Sequence, residues 1–166
     1  MQTHFSRRDA LALGAAALAL PIVLKLDTPA VAATRGKFEV TLTPSQWQAR
    51  LSPAAYDVLR TEGTERPFTS PLNDEHRAGV FKCAGCALPL FDSATKFDSG
   101  TGWPSFYAPL KNAVGTTSDR SLMFERTEVH CRRCGGHLGH VFNDGPKPTG
   151  LRYCMNGVAM RFAAKV

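Results

Sequence analysis

The sequence predicts a mainly β fold: a small, mostly antiparallel β domain with short helices confined to its N-terminal edge. Three observations carry that expectation. From Gly79 onward apolar residues recur in short runs, several alternating with polar ones, the period of a half-buried strand. Gly, Pro, Asn and Asp separate the runs, and these are the residues that turns select. Helix-start signatures fall only in the stretch 43–61. With 166 residues, 43% of them hydrophobic, the chain is long enough for one domain with a real core. The net charge of +6 is spread out, its only basic runs being Arg7-Arg8 and Arg132-Arg133. That argues against a phosphate-tracking surface, which shows a cluster or stripe.

The chain opens on a targeting segment. Paired Arg7 and Arg8 precede an uncharged apolar run over residues 10–24, and Ala30-Val31-Ala32 supplies a small-residue cleavage site. The run is shorter than the roughly 20 residues of a membrane span; an uncleaved anchor is the competing reading. Ser6-Arg7-Arg8-Asp9 resembles the twin-arginine signal of bacteria. Residues 1–32 are therefore expected to be an export signal that delivers a folded protein to the periplasm. Residues 33–40 are expected to be a linker and residues 41–166 the domain. Export implies an oxidising compartment, where unprotected thiols pair; five cysteines cannot all pair internally.

Thr43-Pro44-Ser45-Gln46 has an N-cap threonine, a proline at the first helical position and a glutamine at the third, which together open a capping-box helix. Ser52-Pro53 restarts the pattern for a second short helix over residues 54–61. Residues 63–77, rich in Pro, Thr, Ser and charge without periodicity, are expected to wrap as a loop or arm. Strands follow at 79–85, 87–92, 122–131, 137–144 and 151–164.

Four of the five cysteines form two C-x2-C pairs, Cys83/Cys86 and Cys131/Cys134. Glycine within the first pair (Gly85) and after the second (Gly135-Gly136) suits two sharp knuckles on one ion, and four thiolates make a closed structural zinc site. The 44 residues between the pairs exceed ribbon spacing, so the fold must bring the knuckles together. Two disulfides within the pairs, or a site built from Cys131, Cys134, His137 and His140, are the alternatives. Cys154 is left over. On a strand it shares a face with Arg152 and Asn156, opposite Leu151, Tyr153 and Met155. A thiol between a cation and an amide suits a nucleophile, although a lone cysteine is more often a small buried hydrophobe. Gly100-Thr101-Gly102-Trp103-Pro104-Ser105-Phe106 puts an indole and a phenyl ring on a Gly/Pro-rich loop, placed to line a pocket. His137-Leu138-Gly139-His140-Val141-Phe142 adds two imidazoles, the side chains that titrate nearest neutral pH.

These motifs stand in order as C-A-G-C, S-G-T-G-W-P-S-F, H-C-x-x-C-G-x-H-L-G-H-V-F, D-G-P-x-P-T-G and R-Y-C-x-N. Together they resemble the methionine-R-sulfoxide reductases, the B-type family, over about residues 42–162. The resemblance implies two small antiparallel sheets and one structural zinc on Cys83, Cys86, Cys131 and Cys134, remote from the chemistry. It implies Cys154 as the nucleophile, Trp103 as the residue that receives the substrate's terminal methyl, and Phe142 and Arg152 as further substrate-side residues. His137, His140 and Asn156 would surround the sulfoxide oxygen. Oxidised methionine in peptides or proteins would be the substrate and a thioredoxin-like or small thiol the reductant, with a monomer and no nucleic acid involved. The chain departs from the family at Asn156-Gly157-Val158, where many members read N-S-A, and at Thr101, where some carry a second, resolving cysteine.

The residue types suit that chemistry. A sulfoxide sulfur becomes electrophilic when its oxygen is protonated or strongly hydrogen-bonded, which asks for a thiolate on one side and donors on the other. Attack would release methionine and leave a sulfenic acid. The rival expectation is a zinc-ribbon module that binds protein or nucleic acid, with Cys154 inert.

Overall fold

A computed structural model describes residues 38–121 and 125–166. The export signal expected over residues 1–32, and most of the expected linker, lie outside the described residues. Within them, the last linker residues lie against the second knuckle: the Val40 amide donates to the Arg133 carbonyl at 3.0 Å, and Glu39 pairs with Arg132 at 2.6 Å.

Two helices lead, α1 (Pro44–Arg50) and α2 (Pro53–Thr61). The capping box at α1 is complete, Thr43 and Gln46 each accepting the other's backbone N–H. Ser52 caps α2. Buried Trp47, Val58 and Leu59 turn both helices onto the core. A short 3-10 turn, Pro71–Asp74, interrupts the arm that follows.

Among the described residues, nine strands then build two antiparallel sheets. β1 (Gly79–Cys83), β2 (Pro89–Asp92) and β9 (Met160–Ala164) form the first, in the order β2-β1-β9. The second runs β3-β4-β8-β7-β6-β5, made of β3 (Lys96–Phe97), β4 (Ser105–Phe106), β5 (Val114–Asp119), β6 (Arg126–Cys131), β7 (His137–Phe142) and β8 (Arg152–Met155). The sheets meet through aromatic side chains. Phe91 of the first stacks on Phe106 of the second at 4.3 Å, and Phe81 meets Phe106 edge-on at 4.9 Å, a geometry that adds to the gain from burial. Phe81, Phe91 and Phe106 are fully buried.

Three expectations change. Phe106 does not line a pocket; it sits in this aromatic core because it belongs to β4 rather than to a loop. Residues 151–164 are not one strand: the 3-10 turn Gly157–Ala159 splits them, so β8 completes one sheet and β9 the other. The sharp turn of the first knuckle does not come from Gly85. Its left-handed residue is Ala87 (φ 58), matching Gly135 (φ 66) in the second, and each donates back to the first cysteine of its pair, at 2.9 and 2.8 Å. Gly85 instead makes room for Trp47, whose ring would lie 3.3 Å from an added Cβ.

Candidate active site

Pairing across the second sheet decides what stands beside Cys154. Its partner is Ser105 on β4 and His140 on β7, and His140 in turn pairs with Glu128 on β6. Residues directly opposed in an antiparallel ladder point to the same face, so Ser105, Cys154, His140 and Glu128 form one row. The alternation expected of β8 holds: Met155 is in the core and Tyr153 meets Phe91 at 5.9 Å, while Cys154 faces a cleft of about 120 Å³ lined also by Thr64, Trp103, Arg126, His140, Phe142 and Asn156.

Three of the lining groups, Asn156, Trp103 and His140, have their orientation fixed by hydrogen bonds. Asn156 is buried; its Oδ1 accepts from the Glu65 amide at 2.8 Å and its Nδ2 donates to the Leu138 carbonyl at 3.0 Å. Those two partners settle which way the amide faces and leave one Nδ2 hydrogen for a ligand. The Trp103 indole N–H donates to the Glu65 carbonyl at 2.8 Å, which holds the ring as a wall. His140 Nε2 lies 2.7 Å from Asp119 Oδ2, an atom that also accepts from Arg126 at 2.7 Å. Since a carboxylate only accepts, Nε2 of His140 carries a hydrogen. Burial lowers the pKa of His140 from its ordinary value, with Asp119 opposing, so the ring rests neutral. Hydrogen bonds from Ser121 first, then from His140 and Arg126, hold the Asp119 carboxyl well below the usual carboxylate range.

His137 and Arg152 stand one layer back. His137 is buried, hydrogen-bonded through Nδ1 to Glu128 at 2.9 Å, and its ring lies 5.4 Å from that of His140. Arg152 is held by Asp144 through two hydrogen bonds of 2.9 and 2.8 Å and lies 4.5 Å over the Phe142 ring, bracing that wall. Its guanidinium pKa is raised, by Asp144 first, while burial opposes and the neighbouring Cys154 adds to the rise. The cation expected on the cysteine's face is thus coupled to the sulfur.

Sequence reading missed Glu65, Asp119, Glu128, Arg126 and Asp144. The residue with the most consequences is Glu65. Besides the bonds to Trp103 and Asn156, its carboxylate accepts from the amides of Gly157 and Val158 at 2.5 and 3.3 Å, just beyond β8. One residue of the arm therefore ties the cleft's aromatic wall, its amide and the end of the cysteine strand together. The arm closes down at Gly102 (φ 90), where any Cβ would come within 2.8 Å of Phe68.

Away from the cleft, Cys83, Cys86, Cys131 and Cys134 bring their sulfurs within 4.8 Å of one another and could hold a metal ion. Two of the sulfur pairs are 3.7 and 3.5 Å apart. A tetrahedral zinc with bonds near 2.3 Å spaces its thiolates by roughly 3.8 Å, so the donor set and spacing fit that ion. These distances are far from a disulfide's ~2.05 Å, and all five cysteines are free. The alternative site using His137 and His140 does not form, because both rings are taken by carboxylates.

The comparisons agree with this geometry. The SelR domain model matches residues 51–164. A peptide methionine sulfoxide reductase MsrB of Pseudomonas putida (strain W619) is 57% identical over 125 residues, 75% of this chain and 94% of that protein. The MsrB of Thiobacillus denitrificans is 54% identical over 74% of this chain and 94% of its own length. The chloroplastic reductase B1 of Arabidopsis thaliana is 51% identical over 75% of this chain and 62% of its own length. With a free cysteine in a cleft, a separate four-cysteine cluster and these relatives, the chain belongs to the SelR-domain family, among the peptide methionine sulfoxide reductases of the MsrB type.

Proposed function

We propose that this protein reduces methionine-R-sulfoxide in peptides or proteins to methionine, with Cys154 as the nucleophile. The observation that carries the reading is Cys154 within one cleft with Trp103, Phe142, His140 and Asn156, apart from the four clustered cysteines. Trp103 and Phe142 take the apolar end of the substrate, and the lopsided pocket selects one epimer. The spare Nδ2 hydrogen of Asn156, together with His140, serves the sulfoxide oxygen, and His137 backs His140 from behind the cleft. Each imidazole is backed by a carboxylate that stabilises it when it takes and passes on a proton. The sulfur of Cys154 attacks the sulfoxide sulfur; the oxygen passes to Cys154 as a sulfenic acid and methionine leaves. Thr101, 3.8 Å from the Cys154 sulfur, holds the place of a resolving thiol without being one. An external thiol, thioredoxin-like or small, therefore attacks Cys154 directly and forms a mixed disulfide.

The four-cysteine cluster holds one structural zinc, and residues 1–32 direct a monomer to the periplasm. The zinc-ribbon alternative has no use for the cleft. Steady-state assays with the R and S epimers and a dithiol test the reading: turnover of R alone, abolished in a folded Cys154→Ser variant, is the expected outcome. Equal turnover of both epimers would contradict it. In the Thr101→Cys variant, the oxidised intermediate should close to an internal disulfide with Cys154.

A further inference from the structure

Cys154 has polar neighbours that the scheme above leaves without a role. Thr101 Oγ1, 3.8 Å from the sulfur, lies 2.8 Å from Ser99 Oγ. Ser99 Oγ lies 2.8 Å from Ser105 Oγ, and Ser105 Oγ lies 3.1 Å from the Trp103 carbonyl. Ser105 is completely buried and stands opposite Cys154 in register. Each hydroxyl owns a single hydrogen, so such a chain has a direction. A carbonyl oxygen can only accept, and Ser105 therefore donates to Trp103. With the Ser105 hydrogen spent on that carbonyl, the arrangement that satisfies both remaining contacts has Ser99 donating to Ser105 and Thr101 to Ser99. At the far end Thr101 turns only lone pairs toward Cys154.

We propose that Ser105, Ser99 and Thr101 form a one-way hydroxyl chain that makes Thr101 an acceptor for the hydrogen carried by Cys154. In the thiol form that hydrogen is S–H. After oxygen transfer it is the O–H of the sulfenic acid, which deepens and rests on the reading of Cys154 as nucleophile. The step balances: the sulfoxide is reduced to a thioether, the thiol is oxidised to S–OH, and the one hydrogen stays on the protein, where Thr101 holds it. A sulfenic acid whose O–H is engaged keeps its sulfur open to an incoming thiol, the need of a chain with no resolving cysteine at Thr101. Ser99 and Ser105 act through Thr101 and are positioning residues.

Alkylation of Cys154 by iodoacetamide at pH 7, in the full-length metal-loaded protein, reads the direction of the chain. In Ser99→Ala the Thr101 hydroxyl loses its acceptor and can donate to the sulfur. One charge-assisted hydrogen bond of about 1.5 kcal/mol would lower the thiol's pKa by about one unit, and because a less basic thiolate is also less nucleophilic, alkylation should speed about three- to fourfold. The same change in a Thr101→Val background should have no effect, and Ser99→Thr should restore the original rate. A purely structural role for Ser99 would shift both backgrounds alike. Slower or unchanged alkylation in Ser99→Ala would overturn the proposal. Ser99 is only half-buried on a loop, so the variant should fold. The readout needs no sulfoxide: failure of the reductase reading would show instead as no methionine released by a protein with the expected alkylation pattern.

Discussion

What separates Cys154 from the other four cysteines is its company. The four crowd together: hydrogen bonds from Cys131 and other neighbouring thiols, with burial added, push Cys83 up, and a divalent cation reverses that preference. Cys154 instead lies between a hydroxyl, an imidazole and an arginine-coupled face. The cleft's own charges set the pH response. The folded pKa of His140 lies below its ordinary value near 6.5, so folding favours the neutral ring, and its stabilisation is present above about pH 6.5. It is lost as pH falls from there through the folded value. Asp119 follows the same sign at lower pH: its stabilisation is present above about pH 3.9 and lost on further acidification. Melting temperatures at pH 7.5, 5.5 and 3.5 should fall stepwise, and His140→Gln should flatten the first step while the second persists, because Ser121 and Arg126 still hold Asp119. A melting temperature that rises between pH 7.5 and 5.5 would contradict the buried, neutral His140.

At the scale of elements, the arm between α2 and β1 is the part that assembles the cleft. Glu65→Ala removes the acceptor of the Gly157 and Val158 amides, and should cost about 1–3 kcal/mol. It should also raise KM and lower kcat, since the carboxylate anchors the stretch of arm whose backbone carbonyl and amide hold Trp103 and Asn156; Glu65→Gln, which keeps one acceptor, should recover most of both. Urea unfolding with parallel kinetics checks this, and unchanged kinetics in a destabilised Glu65→Ala protein would contradict the positioning role. None of this is legible in the sequence, because Glu65 meets Gly157, 92 positions further on, only once the intervening chain has folded. The helices were legible, their caps being local chemistry within three residues. Strand β5 was not: Gly115-Thr116-Thr117-Ser118 forms the edge of its sheet, half-buried or exposed, so it has no buried face to impose alternation. Likewise Cys154, His140 and Asn156 carried a pattern, whereas Asp119 had none to announce that it would receive His140 from 21 residues away.

For the molecule as a whole, the two sheets are joined by stacked phenyl rings at one place and by the cysteine cluster at another. Cys83 ends β1 of the first sheet and Cys131 ends β6 of the second, so an ion on all four sulfurs is a cross-link between sheets. Arg60 of α2 fixes the helices to it by donating to the Cys134 carbonyl at 3.1 Å while lying over Trp47 at 4.8 Å. Metal binding there appears as folding free energy, on the order of 10 kcal/mol in small zinc domains. Cys134→Ser should therefore lose the metal and most of the cooperative thermal transition; a variant that loses metal yet keeps its Tm would contradict the cross-link. The central claim is that Cys154 takes the oxygen of an R-sulfoxide, and a single turnover without reductant tests it most directly. Protein mixed with excess methionine-R-sulfoxide peptide and a dimedone probe should release about one methionine per chain and carry one adduct, at Cys154, with the metal retained. Methionine released by Cys154→Ser, or an adduct on any of the four clustered cysteines, would contradict it.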